Sequence, residues 1–402
     1  MRLNRILYIS MFFLSLAFIY FFGGKVPYMF FYTVVILPFI SFLYAGAVYF
    51  RLKVVQRVDR AVAVKGDKIN LTVTISNRGL LLYPYVKVKF GGEEAVFGQQ
   101  IEPKSFSVPP FSSKSFDFEL NCNYRGSFEI GVKSVEIQDF LGIFKLSRRN
   151  LSPVFVDVYP KIVHIDTFRL NVDYVSEAHS VLNSRQEDMS TILDVRKYAY
   201  GDSLKKVHWK LTAKVNDLMV KNFHSTSVAS ATLLVDLKRN PYSAKNNVII
   251  EDKLIEAAVA VLYYCINNWI SVNLAYYDGG LVSVEATDAA TFDNAYRLLA
   301  KAGFNHNIDI KDILDLYLKD NSYRTNIVIF TSNVDYSLYH GIYKSKFSGH
   351  EVSLIYVSPE ELTGVRLDEA YDVLSFVPEI GVKAYKINIS DDIKTVLESG
   401  GS

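Results

Sequence analysis

The polarity pattern along the chain changes character twice. From Ile6 to Phe22 the residues are almost wholly apolar, broken only by Ser10 and Ser15. Gly23-Gly24-Lys25-Val26-Pro27 follows, and then a second apolar run from Tyr28 to Phe50. A helix crossing the hydrocarbon needs about 20 such residues, so both runs predict membrane spans. Pro38 in the second run is tolerated in that setting. A secretory signal fits the first run poorly. It has no small-residue cleavage site, and a second span follows at once. Arg2 and Arg5 precede the pair and Arg51, Lys53, Arg57 and Arg60 follow it, whereas the connecting loop carries only Lys25. The positive-inside rule then puts both termini and everything after Phe50 in the cytoplasm.

Past Val54 the pattern becomes alternation. Ile69–Ile75, Val86–Phe90, Ser115–Leu120 and Ser127–Ile130 each place apolar side chains at every second position, with Gly, Asn and Pro between them. Short alternating runs of this kind predict an antiparallel sandwich over 54–160. Asp67, Asp117 and Asp139 read as turn and surface residues. Val156–Tyr159 closes the region at Pro160. The segment 161–189 is polar, weakly patterned and reads as a linker or a long surface loop.

From 190 to 397 the period alternates between strand and helix. Ala231–Asp236, Thr325–Thr331 and Val352–Val357 are short continuous apolar runs, as in buried parallel strands. Ser271–Tyr277 and Leu281–Glu285 form a hairpin around Asp278-Gly279-Gly280. Asp252–Asn267, Asp288–Ala302 (ended by Gly303) and Ile308–Lys319 are helices, Val382–Ile389 is a last strand, and a short helix starts at Asp391. This is an α/β pattern with helices on both faces. Ligand sites in such sheets lie beyond the carboxyl ends of the strands. Here that means Asp236–Pro241, Thr331–Asp335 and Ser358–Glu361. Residues 398–402 form a flexible tail.

Composition adds little to this. The formal net charge is +2 over 402 residues, with the signs mixed, which gives no case for a nucleic-acid partner. The two cysteines, Cys122 and Cys265, fall in different predicted domains and read as buried reduced thiols. There is no phosphate-binding Gly-x-x-x-x-Gly-Lys loop and no Gly-x-Ser-x-Gly.

The densest chemistry lies in Asp194–Lys214. An extended run to Tyr200 meets Gly201-Asp202, and Leu204, Val207 and Leu211 then recur at helical spacing, with Asp202 placed to cap. Trp209 reads as a core anchor. His208, one of seven dispersed histidines and next to Trp209, reads as structural rather than as a base or ligand, and His164, His179 and His224 form no ligand spacing. Arg196, Lys205, Lys206, Lys210 and Lys214 make a basic face suited to an acidic partner or anionic lipid.

The order Asp194-Val195-Arg196-x-Tyr198-x-x-Gly201-Asp202, then His208-Trp209-Lys210-x-Thr212-Ala213-Lys214, then Leu218–Lys221, resembles the signature of the family catalogued as domain of unknown function fifty-eight. Tyr124-Arg125-Gly126, Asp139–Phe144 and Val158-Tyr159-Pro160 are similar to its upstream pattern. The resemblance implies a multidomain fold. A transmembrane α-hairpin (1–53) leads to an all-β, immunoglobulin-like sandwich (54–160). A von Willebrand factor A-like α/β domain (190–397) follows the linker. It implies a non-enzymatic membrane scaffold or adaptor. The implied partners are a MoxR-type AAA+ ATPase and a transglutaminase-like membrane protein. On this resemblance Arg196, Asp202 and Trp209 hold the entry to the A-like domain.

A-like domains bind a divalent cation through Asp-x-Ser-x-Ser after the first strand. In this chain Lys238 and Asn240 stand where the serines belong. A protonated lysine cannot ligate and its charge opposes a cation, so no Mg²⁺ or other cofactor is expected. Lys238 is expected to take the ion's place by pairing with Asp236 or with Asp335. Two other readings stay open: a hydrolase or transferase acting around Asp202 and His208, and an envelope-binding module.

Overall fold

The computed structural model describes residues 2–91, 102–149, 151–170, 187–198, 207–215, 217–225, 231–320 and 324–400. They fall into two compact units, Met1–Lys161 and Ile162–Ser402.

The first unit begins with α1 (Arg2–Phe22) and α2 (Lys25–Arg51), both long and apolar enough to cross a membrane. The turn between them is tighter than the five residues expected. Only Gly23 and Gly24 lie outside the helices, at φ +56° and +84°, a region open to glycine at little cost. Lys25, Val26 and Pro27 belong to the first turn of α2, where proline's missing N–H costs nothing.

Among the described residues nine strands follow: β1 (Lys53–Val58), β2 (Val62–Val64), β3 (Lys68–Ser76), β4 (Tyr83–Gly91), β5 (Lys104–Val108), β6 (Ser113–Asn121), β7 (Gly126–Gln138), β8 (Lys145–Arg148) and β9 (Val154–Tyr159). They form two sheets, β1-β3-β6 and β2-β9-β7-β4-β5, with β8 paired to β7. Alternation in β3 turns Ile69, Leu71, Val73 and Ile75 fully inward. Half-buried aromatic pairs also meet between the sheets, with Phe90 and Phe118 at 4.6 Å and Phe106 and Phe116 at 4.8 Å between ring centroids.

Asp139 is not the surface residue its sequence context suggests. It is 3% exposed, accepts from the Phe144 N–H at 2.8 Å and from the Ser41 hydroxyl of α2. A buried carboxylate is tolerated because its oxygens are hydrogen-bonded.

The second unit opens with residues 162–170, which run along its own core rather than hanging free: Phe168 is buried against Tyr264 and Tyr385. Next come β10 (Glu187–Lys197), α3 (Trp209–Val215) and β11 (Met219–Ser225), and β10 and β11 form their own antiparallel pair. The remainder is β12 (Ala231–Val235), α4 (Ala244–Asn267), β13 (Val272–Tyr277), β14 (Leu281–Ala286), α5 (Ala289–Lys301), α6 (Ile310–Asp320), β15 (Asn326–Thr331), α7 (Tyr336–Phe347), β16 (Glu351–Val357), α8 (Glu360–Thr363), α9 (Asp368–Phe376), β17 (Lys383–Ile387) and α10 (Ile393–Glu398).

Its sheet has the order β14-β13-β12-β15-β16-β17, parallel except for β14. β12 and β15 are buried along their whole length, so continuous apolar runs were the right signature for them. α4 is a full eight residues longer at its start than its apolar stripe suggested, because Ser243 caps it by accepting from the Asn246 N–H. Gly303 does not cap α5. Ala302 takes that position with ordinary negative φ.

Candidate functional site

After β12 the chain crosses to β13 on one side, and it returns to β15 on the other. The crevice outside the carboxyl ends of β12 and β15 is therefore the topological switch point of the sheet, where α/β proteins place ligands. The loop that starts at Asp236 and the loop after Thr331 meet there.

Asp236 is 1% exposed. Its Oδ1 accepts from the Lys238 backbone N–H at 2.9 Å. Its Oδ2 accepts from the Thr331 hydroxyl at 2.6 Å and from the Asn333 amide at 3.3 Å. Burial pushes its carboxyl above the usual carboxylate range, and the hydrogen bonds from Thr331 and Lys238 oppose that shift. Asn240, 1% exposed, accepts from the Ser332 hydroxyl at 2.9 Å through Oδ1, and its Nδ2 finds no hydrogen-bond partner.

Lys238 reaches neither of the carboxylates that the sequence offered it. Its ammonium pairs with Asp309, from the loop between α5 and α6, which raises the Lys238 pKa. The same two loops are stitched through the backbone, with the Arg239 N–H donating to the His306 carbonyl at 2.8 Å. Asp335 is occupied elsewhere. Its side chain caps α7 by accepting from the Leu338 N–H at 2.7 Å. The donor set thus does not fit a hard cation. Both Asp236 oxygens accept from protein donors, and Lys238 and Asn240 offer no hydroxyl ligands there.

Asp309 escaped the sequence reading. It lies 71 residues from Lys238, and its only local sign is an acidic residue directly before a helix. The third expected loop, Ser358–Glu361, forms a separate cluster. Glu360 accepts from the Tyr371 hydroxyl and pairs with Lys386 at 3.1 Å, and the Arg366 guanidinium lies 4.2 Å from the Tyr371 ring centroid.

The signature stretch is organised differently from its expected form. In the β10–β11 register Arg196 faces Val220, and the Tyr198 N–H donates to the Leu218 carbonyl at 2.8 Å. Val207 makes a β-bridge to Val220 rather than sitting on a helix, and both are buried. The helix begins only at Trp209. Its first turn is served by His208, whose Nδ1 accepts from the Leu211 N–H at 3.2 Å. Thr212 accepts from the Met219 N–H at 3.1 Å and ties α3 to β11. Trp209 is 64% exposed and so does not anchor the core; Lys210, Ala213 and Lys214 are exposed as well. Gly201, Asp202, Leu204, Lys205 and Lys206 lie outside the described residues.

A family model described as "Protein of unknown function DUF58" matches residues 194–354, from the end of β10 into β16, and so includes Asp236, Lys238, Asp309 and Thr331. The uncharacterized protein YeaD of Bacillus subtilis (strain 168) is 26% identical over 225 residues, which is 53% of this chain and 55% of that protein. The chain therefore spans about half the length of this relative. Among solved structures, an aerotolerance-related membrane protein from Bacteroides fragilis aligns at TM-score 0.30 and 14% identity, covering 42% of this chain and 94% of that one. The CARDB domain of a Pyrococcus furiosus protein aligns at TM-score 0.21 and 18% identity, covering 27% of this chain and 91% of that one. Similarities at those TM-scores do not establish a shared fold.

Proposed function

We propose that this protein is a non-enzymatic, membrane-anchored scaffold whose α/β unit is a von Willebrand factor A-like domain with its switch-point loops tied to each other by internal partners in place of a metal site. The observation that carries this reading is the commitment of the switch-point side chains to internal partners. Both oxygens of Asp236 are spent on Lys238, Thr331 and Asn333, and the Lys238 ammonium is held by Asp309. A site so committed to internal partners presents a fixed surface rather than a reactive group. The sheet order, with the single antiparallel edge strand β14, supports the A-like assignment. The two long apolar helices support the anchor.

The partner that the family resemblance implies is a MoxR-type AAA+ ATPase, with a transglutaminase-like membrane protein as a second candidate. The α/β unit then faces the cytoplasm, and the scaffold assists maturation or assembly of other proteins. Affinity purification of the full chain from native membranes tests this. The ATPase is expected to co-purify, and to be lost with a Lys238→Glu variant that stays folded and membrane-bound. A preparation free of any ATPase overturns the adaptor reading. A reporter fused after Ser402 that scores outside the cytoplasm overturns the topology.

A further inference from the structure

The two non-glycine residues with left-handed backbone among those described are both exposed aromatics, Phe111 at φ 52° and Trp269 at φ 59°. A bulky side chain in that region is strained, and such strain persists only where the surrounding structure holds it. Phe111 lies in the first unit, in a setting that indicates what its ring meets.

Two loops of the sandwich, 77–82 and 109–112, are pinned together by one buried amide. Asn77 is 1% exposed, and its Nδ2 donates to the Leu81 carbonyl at 2.7 Å and the Pro109 carbonyl at 2.9 Å. The Phe111 N–H donates to the Gly79 carbonyl at 3.3 Å. The paired loops lie against α2, where the Tyr44 hydroxyl donates to the Leu82 carbonyl. Between them and the end of α2 is an open cleft of about 460 Å³ lined by Arg51, Arg78, Gly79, Leu80 and Phe111. Leu80 is 77% exposed and Phe111 70%. Neither guanidinium is in an ion pair with a carboxylate among the described residues.

Helix geometry sets the level of this cleft. At 1.5 Å per residue, Tyr44 lies roughly 29 Å along α2 from Lys25, about the thickness of the hydrocarbon core. Arg51 lies about 10 Å further on, at the depth of the headgroups or just beyond them. Tyr44, the Phe140 ring packed edge-on against it at 5.6 Å, Leu80, Leu82 and Phe111 are thus gathered where α2 leaves the bilayer. Exposed apolar side chains beside two unpaired arginines at that depth match a phospholipid: acyl chain below, phosphate above.

We infer that Leu80 and Phe111 insert into the bilayer interface and that the Arg51–Arg78 cleft holds the phosphate of an anionic phospholipid. This inference rests on the reading of α1 and α2 as membrane spans. The lipid joins α2 to the sandwich as a wedge, so the first unit is seated on the membrane surface and does not swing on a free tether.

The test uses the full chain in nanodiscs of phosphatidylcholine with phosphatidylglycerol. Cys122 and Cys265 are buried, with their thiols pushed up to about 11 and about 12, so both stay unlabelled. A nitroxide is placed on a single introduced cysteine at Phe39, Leu80, Phe111 or Asn121, and its depth is read from collision with oxygen against a water-soluble nickel chelate. Positions 80 and 111 are expected at headgroup to upper-acyl depth, 39 in the hydrocarbon and 121, at the far end of β6, in water. Native mass spectrometry is expected to show phosphatidylglycerol retained over phosphatidylcholine, and the Arg51→Gln/Arg78→Gln variant is expected to lose that preference at least fivefold. Positions 80 and 111 in water with 39 in hydrocarbon overturn the inference alone, as does a variant that retains phosphatidylglycerol undiminished. Position 39 in water overturns the membrane reading, and the inference with it.

Discussion

Asp236 and Lys238 are joined by a backbone-to-side-chain hydrogen bond and not by an ion pair. The Lys238 N–H donates to Asp236 Oδ1 at 2.9 Å, while the Lys238 ammonium turns away to Asp309. A two-residue reach of this kind makes a tight turn that presents the lysine stem to the neighbouring loop. Removing the ammonium should therefore cost little stability. Both partners are substantially exposed, at 32% and 48% of their side chains, so the pair contributes less than about 1 kcal/mol. Its larger effect is on ligand choice. The double variant Lys238→Ser/Asn240→Ser removes the internal cation and supplies two hydroxyls beside Asp236. Titration calorimetry should detect Mg²⁺ binding in that variant and none in the parent. Tight binding by the parent protein would show that Lys238 and Asn240 do not exclude a metal.

Asp335 separates a capping role from a ligating one. Its carboxylate accepts from the Leu338 N–H and supports the first turn of α7. Serine can do the same work at a helix N-terminus and alanine cannot. Asp335→Ser should leave the denaturation midpoint close to that of the parent, whereas Asp335→Ala should lose about 1 kcal/mol. Equal losses from both substitutions would mean that the charge, and not the cap, is what matters there.

The pH dependence of stability should reflect His350. It is 6% exposed directly before β16, with Nδ1 accepting from the Thr325 N–H at 3.3 Å. Burial holds its pKa below the ordinary 6.5, and the nearby charge of Arg324 acts in the same direction. A depressed histidine binds its proton more readily in the unfolded chain. Its contribution is thus fully present above about pH 6.5 and is lost as pH falls through that value towards the folded pKa. One proton limits the slope to about 1.4 kcal/mol per pH unit. His350→Gln keeps an acceptor and removes the titration. Denaturant midpoints measured from pH 8 to pH 5 should fall more steeply for the parent than for the variant, and parallel curves would remove His350 from the account.

Much of this architecture was legible because local pattern and burial coincide. The runs Ala231–Asp236, Thr325–Thr331 and Val352–Val357 are continuous in the sequence because the strands are covered on both faces. Ile69–Ile75 alternates because β3 is covered on one. α7 was not legible. Tyr336, Tyr343 and Phe347 are exposed, and Tyr343 and Phe347 pack on each other at 4.3 Å, so apolar residues lie on the outer face as well as the inner. Asp139 and Asp309 were misread or missed for a different reason. Their partners Ser41 and Lys238 lie 98 and 71 residues away, and no local window contains both members of such a pair. Trp209 was expected in the core on composition alone. The β-bridge of Val207 to Val220 fills that role and leaves the indole outside.

Trp269 occupies the position at the end of α4 that glycine usually fills. The Ile270 N–H donates to the Cys265 carbonyl at 2.9 Å and the Trp269 N–H to the Ile266 carbonyl at 3.1 Å, the two reversed bonds of a Schellman motif. Buried Ile270 packs beyond it, and Trp269 itself takes φ 59° with 80% of its surface exposed. The left-handed backbone costs a non-glycine residue roughly 1–2 kcal/mol. Glycine relieves that cost and gives back roughly 0.5–1 kcal/mol through the greater freedom of its unfolded chain. The exposed ring contributes little burial to offset the difference. Trp269→Gly should therefore stabilise the α/β unit by about 1 kcal/mol in chemical denaturation. Trp269→Ala keeps the strain and should gain nothing. A Trp269→Gly variant less stable than the parent would show that the ring, and not the turn, is what the fold holds in place.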